Sequence, residues 1–240
     1  MNKKTKKIIA TSGVILTLGA NVPNVNALET TQTNSNAQIV IRPGEYPNKP
    51  GKRLTGINVD YDINCPIRWD RETGYHIQEY DLNYLISVKI VNYLEQKGVN
   101  VVLLETENKS QDLNSAGKRA KQYNSSIYLS VHHNSYNSDS SGYFFMTNEG
   151  DTQSSQCAKR LSNAMSNNPM LVPQMENRSN TNGYIGELNQ KPAKINILGE
   201  FGFALSNSDE AIKCASSEQV DYIARQLGDE LIKILNEMNK

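Results

Sequence analysis

The sequence predicts a single α/β domain with a largely parallel sheet. Short runs of apolar and β-branched residues alternate along the chain with longer segments whose apolar residues recur at helical spacing. No internal repeat and no Pro- or Ser-rich linker divides the chain after its N-terminal segment. In addition, 38% of the 240 residues are apolar, which excludes a collagen-like, coiled-coil or wholly disordered protein. These observations together are typical of one compact domain with a sizeable core.

The predicted elements follow one another in a regular order. Strands are predicted at residues 38–41, 101–104, 127–131, 143–146 and 195–198. Helices are predicted from residue 80 to a stop at Gly98, at 112–123, near 153–165 and at 220–235. The 34 residues from 45 to 78 show no clear period and are predicted to form a long functional loop, with room for a short strand at 56–60.

Residues 1–27 are predicted to be a secretory signal peptide. Four lysines precede an uncharged, mostly apolar run at residues 8–20, and the segment ends in the small-residue pattern Val25-Asn26-Ala27. The apolar run has 13 residues, fewer than the roughly 20 that a membrane-spanning helix needs, so an uncleaved anchor is disfavoured. Residues 28–37 are polar and are predicted to be a flexible leader, which leaves 38–240 as the functional domain.

The charge of the mature chain argues against one class of partner. The full sequence has 25 basic and 25 acidic residues, but residues 1–27 hold four of the lysines and no acid. Without them 21 basic and 25 acidic residues remain, a net charge of −4. A weakly acidic body of this kind disfavours general nucleic-acid binding.

Three cysteines remain after the signal peptide: Cys65, Cys157 and Cys214. Their spacings match no zinc-binding pattern, so they are not predicted to form a metal site. Because their number is odd, one bridge with one free thiol and three free thiols are both compatible with the sequence.

Polar residues that follow the predicted strands are the candidate site. In α/β sheets, sites form at the carboxyl ends of the strands. Glu45, His132 and Glu200 follow the first, third and last predicted strands, and Glu79 begins the first long helix. Two carboxylates and an imidazole could hold a divalent ion, and a further carboxylate could take a proton from water. The pattern therefore suggests a metal-dependent hydrolase.

Four segments of the chain resemble the zinc-dependent N-acetylmuramoyl-L-alanine amidases, which cut bacterial peptidoglycan. The resemblance covers roughly residues 38–235. The matched segments are Ile39-Val40-Ile41-Arg42-Pro43-Gly44-Glu45, Glu79-Tyr80-Asp81-Leu82-Asn83, Ser130-Val131-His132-His133-Asn134-Ser135, and the stretch from Ile197 to Asn207 that contains Glu200. The last two are the more specific, and the order and spacing of all four agree with the family.

The resemblance implies a fold, a reaction and a site. It implies a six-stranded sheet, His132 and Glu79 as ligands of Zn²⁺, and Glu200 as the catalytic carboxylate. It also implies cleavage of the amide bond between N-acetylmuramic acid and L-alanine, with peptidoglycan as the binding partner. Since that substrate lies outside the membrane, the predicted signal peptide points independently to a secreted, cell-wall-associated protein.

The chain departs from the family at the end of the first strand. The family's first metal histidine is Glu45 here, and its preceding aspartate is Arg42. A glutamate oxygen can bind zinc at about 2.0–2.2 Å, so Glu45 is a candidate third ligand. Two carboxylates would cancel the charge of the ion, make its bound water less acidic and shift preference toward ions such as Mn²⁺. His76 is the alternative third ligand, whereas His133 should point to the opposite strand face from His132.

Two other functions remain open at this point. A module of the same fold could bind wall glycopeptide without cutting it, which the change at Glu45 favours. A zinc peptidase could act on a different amide. The presence of Glu200 favours an enzyme, because a binding module has no chemical need for that carboxylate.

Overall fold

The computed structural model describes residues 37–45, 53–55, 68–70, 74–104, 113–168, 178–206 and 208–240. The predicted signal peptide at 1–27, most of the predicted leader, the short strand predicted at 56–60 and Cys65 lie outside these residues. Among the described residues, no helix combines the length and the hydropathy that crossing a membrane requires. Cys157 and Cys214 are both buried free thiols, so they do not form a bridge with each other.

A six-stranded sheet forms the centre of the domain. The strands of the described chain are β1 (Ile39–Pro43), β2 (Arg53–Thr55), β3 (Arg68–Asp70), β4 (Gly74–Gln78), β5 (Val101–Leu103), β6 (Ile127–His132), β7 (Phe144–Asn148), β8 (Arg178–Asn180) and β9 (Ile195–Glu200). The central sheet has the order β5-β1-β6-β9-β7-β8. All of its neighbouring strands are parallel except β7 and β9, which are antiparallel. The predicted α/β class, the parallel character and the strand number are confirmed.

Helices cover both faces of this sheet. They are α1 (Glu79–Gln96), α2 (Leu113–Lys121), α3 (Thr152–Ala164), α4 (Gly186–Asn189), α5 (Ser208–Ala215) and α6 (Ser217–Met238), with a 3-10 turn at Thr181–Gly183. Alternate strand residues face opposite layers. Ile39 and Ile41 of β1 pack in the core with α1, α3 and α6, whereas Val40 packs in a second core with residues of α2 and α4.

The segment predicted as an irregular loop at 45–78 contains a second sheet. Strands β2, β4 and β3 pair antiparallel in that order, and β4 runs directly into α1. These strands were not predicted, because runs of three to five residues are too short to show a clear period. The sheet matters for the site because β4 delivers the first residue of α1, Glu79, to the carboxyl edge of the central sheet.

Neighbouring strands bring the candidate site residues to one edge. Strand β6 lies between β1 and β9, so the carboxyl ends of all three strands are adjacent. His132 and Glu200 are register partners on β6 and β9. The loop after β1 is tied to β6 by a hydrogen bond of 2.7 Å from the Gly44 amide to the Val131 carbonyl. His132 and Glu200 are the last residues of their strands, which extend one and two residues beyond the predicted ends.

Candidate metal centre

Glu45, Glu79 and His132 form a cluster that could hold a metal ion. One ligand atom from each residue lies within 4.8 Å of the others. The three residues come from the loop after β1, the first turn of α1 and the end of β6. Glu79 and His132 are buried and Glu45 is partly buried. Three of the residues singled out in the sequence are therefore neighbours in space.

The backbone of the loop after β1 brings Glu45 to the histidine. A Cβ atom on Gly44 would collide with the imidazole ring of His132, so only glycine permits this approach. Glu45 itself has a φ of 61°, in the left-handed region that residues with a side chain seldom adopt. Strained backbone of this kind clusters at functional sites, where the surrounding structure enforces it.

Acidic groups lie at both nitrogens of the His132 ring. Nδ1 lies 3.3 Å from Glu79 Oε1, and Nε2 lies 3.4 Å from Glu187 Oε1. Burial by itself would lower the pKa of His132, but the contacts with Glu187 and Glu79 raise this pKa to about 10. The two carboxylates therefore favour a positive charge at this position of the site.

Glu187, in the short helix α4, belongs to a buried ion pair behind His132. Its Oε2 accepts hydrogen bonds from Arg42 Nη1 at 2.8 Å and from the Tyr128 hydroxyl at 2.7 Å. Burial alone would raise the pKa of Glu187, but Arg42 and His132 lower it to about 2. Glu187 was not predicted from the sequence, because a four-residue helix carries no period and the partner Arg42 is 145 positions away.

Glu200 lies beside the cluster and is partly buried. Its Oε2 is buried and has no hydrogen-bond partner among the described residues. Burial raises the pKa of Glu200 to about 7, and the charges of Glu79 and Glu187 act in the same direction against that of His132. A carboxyl group with a pKa near neutrality is well matched to accepting and returning a proton at physiological pH.

The other two histidines lie outside the cluster. His76 is buried in β4, and the group formed by Glu45, Glu79 and His132 does not include it. His133 Nδ1 lies 2.8 Å from Asn83 Oδ1 on α1, one turn beyond Glu79. Burial, followed by the charge of His132, lowers the pKa of His133 to about 3, so this ring is neutral at physiological pH.

The donors of the cluster suit a divalent cation. Burial and the neighbouring Glu79 raise the pKa of Glu45, because both disfavour a negative charge on its carboxylate. A cation between these carboxylates would offset their mutual repulsion. Carboxylate oxygens with an imidazole nitrogen form a donor set that zinc accepts. With Glu200 adjacent, the arrangement can support one class of chemistry in particular, namely metal-assisted hydrolysis.

The chain belongs to the family of N-acetylmuramoyl-L-alanine amidases, whose sequence pattern it matches over residues 39–233. The resemblance seen in the sequence is thereby confirmed. These enzymes are hydrolases that cut the amide bond between N-acetylmuramic acid and L-alanine in cell-wall peptidoglycan. The protein is accordingly a peptidoglycan amidase.

Solved structures of amidases share the fold. An N-acetylmuramoyl-L-alanine amidase from Clostridium difficile 630 superposes with a TM-score of 0.64 at 20% identity, covering 84% of this chain and 98% of that one. AmiC2 of Nostoc punctiforme gives a TM-score of 0.63 at 20% identity, covering 83% and 97%. Cwp6 from Clostridium difficile gives a TM-score of 0.64 at 20% identity. The match covers 82% of this chain but only 29% of Cwp6. A comparison with curated proteins gives no match.

Proposed function

We propose that the protein performs amide hydrolysis with a divalent ion, preferably zinc, held by Glu45, Glu79 and His132. The observation that carries this proposal is the convergence of three ligand atoms within 4.8 Å at the carboxyl edge of the sheet. A bound divalent ion would supply a Lewis acid that lowers the pKa of water and polarises an amide carbonyl.

Glu200 is the proton carrier of the proposed reaction. Its carboxylate accepts a proton from water as the oxygen of that water attacks the lactyl carbonyl carbon of the muramic acid. The same carboxyl then donates the proton to the amide nitrogen as the carbon–nitrogen bond breaks. The products are a free carboxylate on the sugar and a free amino group on L-alanine. Burial raises the pKa of Glu200, which favours its taking up a proton from water.

The substitution at Glu45 tunes the proposed site. Glu45 and Glu79 together cancel the charge of a divalent ion, so water at the ion is less acidic than with a second imidazole. We therefore expect weaker zinc binding, a higher pH for half-maximal rate and tolerance of harder ions such as Mn²⁺.

We further propose that the protein acts outside the cell. Residues 1–27 have the charged, apolar and small-residue regions of a signal peptide, and the substrate of the family is the cell wall. Export followed by cleavage after Ala27 would leave a secreted enzyme consisting of a polar leader and the domain at 38–240.

Metal content and product analysis together test the proposal. The mature protein is purified, its ions are measured by elemental analysis, and it is incubated with purified peptidoglycan. We expect a stoichiometric divalent ion and new amino groups on L-alanine. New amino groups on another residue would indicate a peptidase. Saturable binding to intact glycopeptide without any new amino group would indicate a binding module.

A further inference from the structure

We propose that Glu187 is a positioning residue that orients His132 toward the ion. In this arrangement His132 binds the ion through Nδ1 and donates its Nε2–H to the Glu187 carboxylate. The inference rests on the proposed metal site. It adds a carboxylate that belongs neither to the four sequence segments that resemble the family nor to the ligand cluster.

The two ring nitrogens of His132 face different groups. Nδ1 lies 3.3 Å from Glu79 Oε1, which is a member of the ligand cluster. Nε2 lies 3.4 Å from Glu187 Oε1 and 3.4 Å from Arg42 Nη1. The guanidinium can only donate, so an unprotonated Nε2 would accept from Arg42, whereas a protonated Nε2 can donate to Glu187. Because Glu79 is a candidate ligand and Glu187 is not, the geometry assigns Nδ1 to the ion and Nε2 to the carboxylate behind it.

The two carboxylate oxygens of Glu187 contact different groups. Oε2 is occupied by Arg42 and by the Tyr128 hydroxyl. Oε1 is buried, and among the described residues it makes no hydrogen bond of good alignment, only the 3.4 Å contact with His132. A small rotation of the imidazole as it binds an ion would turn this contact into a hydrogen bond. Carboxylates that accept from metal-binding histidines fix the ring and the tautomer in this way.

Arg42 makes this position of Glu187 possible. The Arg42 and Glu187 side chains are both completely buried, and a lone buried carboxylate would be strongly destabilising. The guanidinium offsets the charge of Glu187, and the carboxylate therefore stays ionised and able to accept from His132. The arginine that replaces the family's aspartate at the end of β1 thus has a defined role in this site.

Glu187→Gln tests the proposal, since it keeps the size of the side chain and removes its charge. Zinc affinity is measured by competition with a chelator, at a temperature where the variant is folded. We expect binding weaker by about 10- to 100-fold, the usual effect of losing a carboxylate behind a metal-binding histidine. With Co²⁺ in place of zinc, the absorption spectrum should also change. The matched control is Glu230→Gln, which breaks the pair between Arg160 on α3 and Glu230 on α6. Neither residue belongs to the candidate site, so zinc affinity should be unchanged.

A second variant guards against misfolding. Glu187→Gln leaves Arg42 buried without its carboxylate, so Arg42→Met/Glu187→Gln removes both charges together. Weakened zinc binding in this double variant supports the positioning role. A purely structural ion pair would lower the melting temperature but leave zinc affinity and the Co²⁺ spectrum as in the wild type, which would overturn the inference. A wild-type protein that binds no divalent ion would instead overturn the proposed metal site itself.

Discussion

Two Arg–Glu clusters in the molecule have similar distances but different surroundings. Arg42 and Glu187 are 2.8 Å apart behind the candidate metal centre, with both side chains fully buried. Arg160 on α3 is 2.7 Å from Glu230 on α6, and the arginine side chain is 32% exposed. Glu230 is 13% exposed, so water screens this pair only in part, whereas breaking the fully buried pair would leave an uncompensated charge.

The acidic groups around these two pairs also behave differently. In the surface cluster, the hydrogen bond from Arg160 lowers the pKa of Glu237. In the site, burial raises the pKa of both Glu200 and Glu45. Carboxyl groups whose pKa is raised by burial and by neighbouring charges cluster at functional sites. The two clusters therefore differ in the direction of the shift: the pKa values of the carboxyl groups are raised in the site, and that of Glu237 is lowered in the surface cluster.

His132→Ala should produce the largest effect. It removes the imidazole that Glu79 and Glu187 hold between them, leaving two carboxylates that cannot retain zinc. We expect the stoichiometric ion and the amidase activity to be lost together. Elemental analysis after gel filtration measures the ion, and release of amino groups from peptidoglycan measures the activity. An unchanged metal content would show that the ion, if any, binds elsewhere.

Glu200→Gln should separate chemistry from metal binding. The amide is the same size as the carboxyl but cannot accept and return a proton. We expect the folded protein and its ion to be retained while hydrolysis falls by about 10²-fold or more, the usual scale for acid–base catalysis. The rate is followed by release of amino groups under saturating peptidoglycan. A rate within a small factor of the wild type would remove Glu200 from the mechanism.

The same substitution should stabilise the metal-free protein, in a pH-dependent way. The pKa of Glu200 is raised from 4.5 to about 7 in the folded state, so the folded protein keeps a proton that the unfolded chain releases. This protonation difference lowers the free energy of unfolding. The loss is absent below the pKa of Glu200 in the unfolded chain and grows as the pH rises to its pKa in the folded protein. We expect metal-free Glu200→Gln to melt at a higher temperature than the metal-free wild type at about pH 8, with a gap that shrinks at about pH 5. A gap independent of pH would contradict the assignment.

Glu45→His should have a smaller effect, in the direction of gain. It replaces a charged oxygen donor by a neutral nitrogen, so the ion keeps more positive charge. Histidine is also among the residues that tolerate the left-handed backbone found at Glu45. We expect tighter zinc binding, faster amide cleavage and a lower pH for half-maximal rate. The companion variant Glu45→Ala should weaken binding. If it leaves affinity and rate unchanged, Glu45 is a bystander and His76 becomes the better third ligand.

Glu230→Gln should have the smallest effect. Arg160 retains its bonds to Glu237 when Glu230 loses its charge. We expect a small fall in the free energy of unfolding, because the pair is partly exposed and Arg160 keeps Glu237, with no change in amidase activity. Urea denaturation measures the stability. A loss as large as that caused by Glu187→Gln would show that the contrast between the two clusters is wrong.

The sequence predicted the long elements well and the short ones poorly. The apolar stripe of α1 and the buried strand β6 are long enough to show their periods, so Glu79 and His132 were placed correctly at their ends. The second sheet and helix α4 carry no such signal. The contact between Arg42 and Glu187 could not be predicted either, since it depends on how the chain folds between them. Long-range ion pairs leave no mark in local sequence.

The convergence of distant segments on one edge of the sheet has a consequence for when activity can begin. Glu45, Glu79, His132 and Glu200 span 155 positions of the chain and meet only when β1, β6 and β9 are paired. No partly folded segment can contain the whole site, and contacts this far apart form late because loop closure must precede them. We propose that the chain is exported; if it crosses the membrane unfolded, it carries no working hydrolase through it. Folding itself would then be the step that switches the enzyme on, beside its substrate.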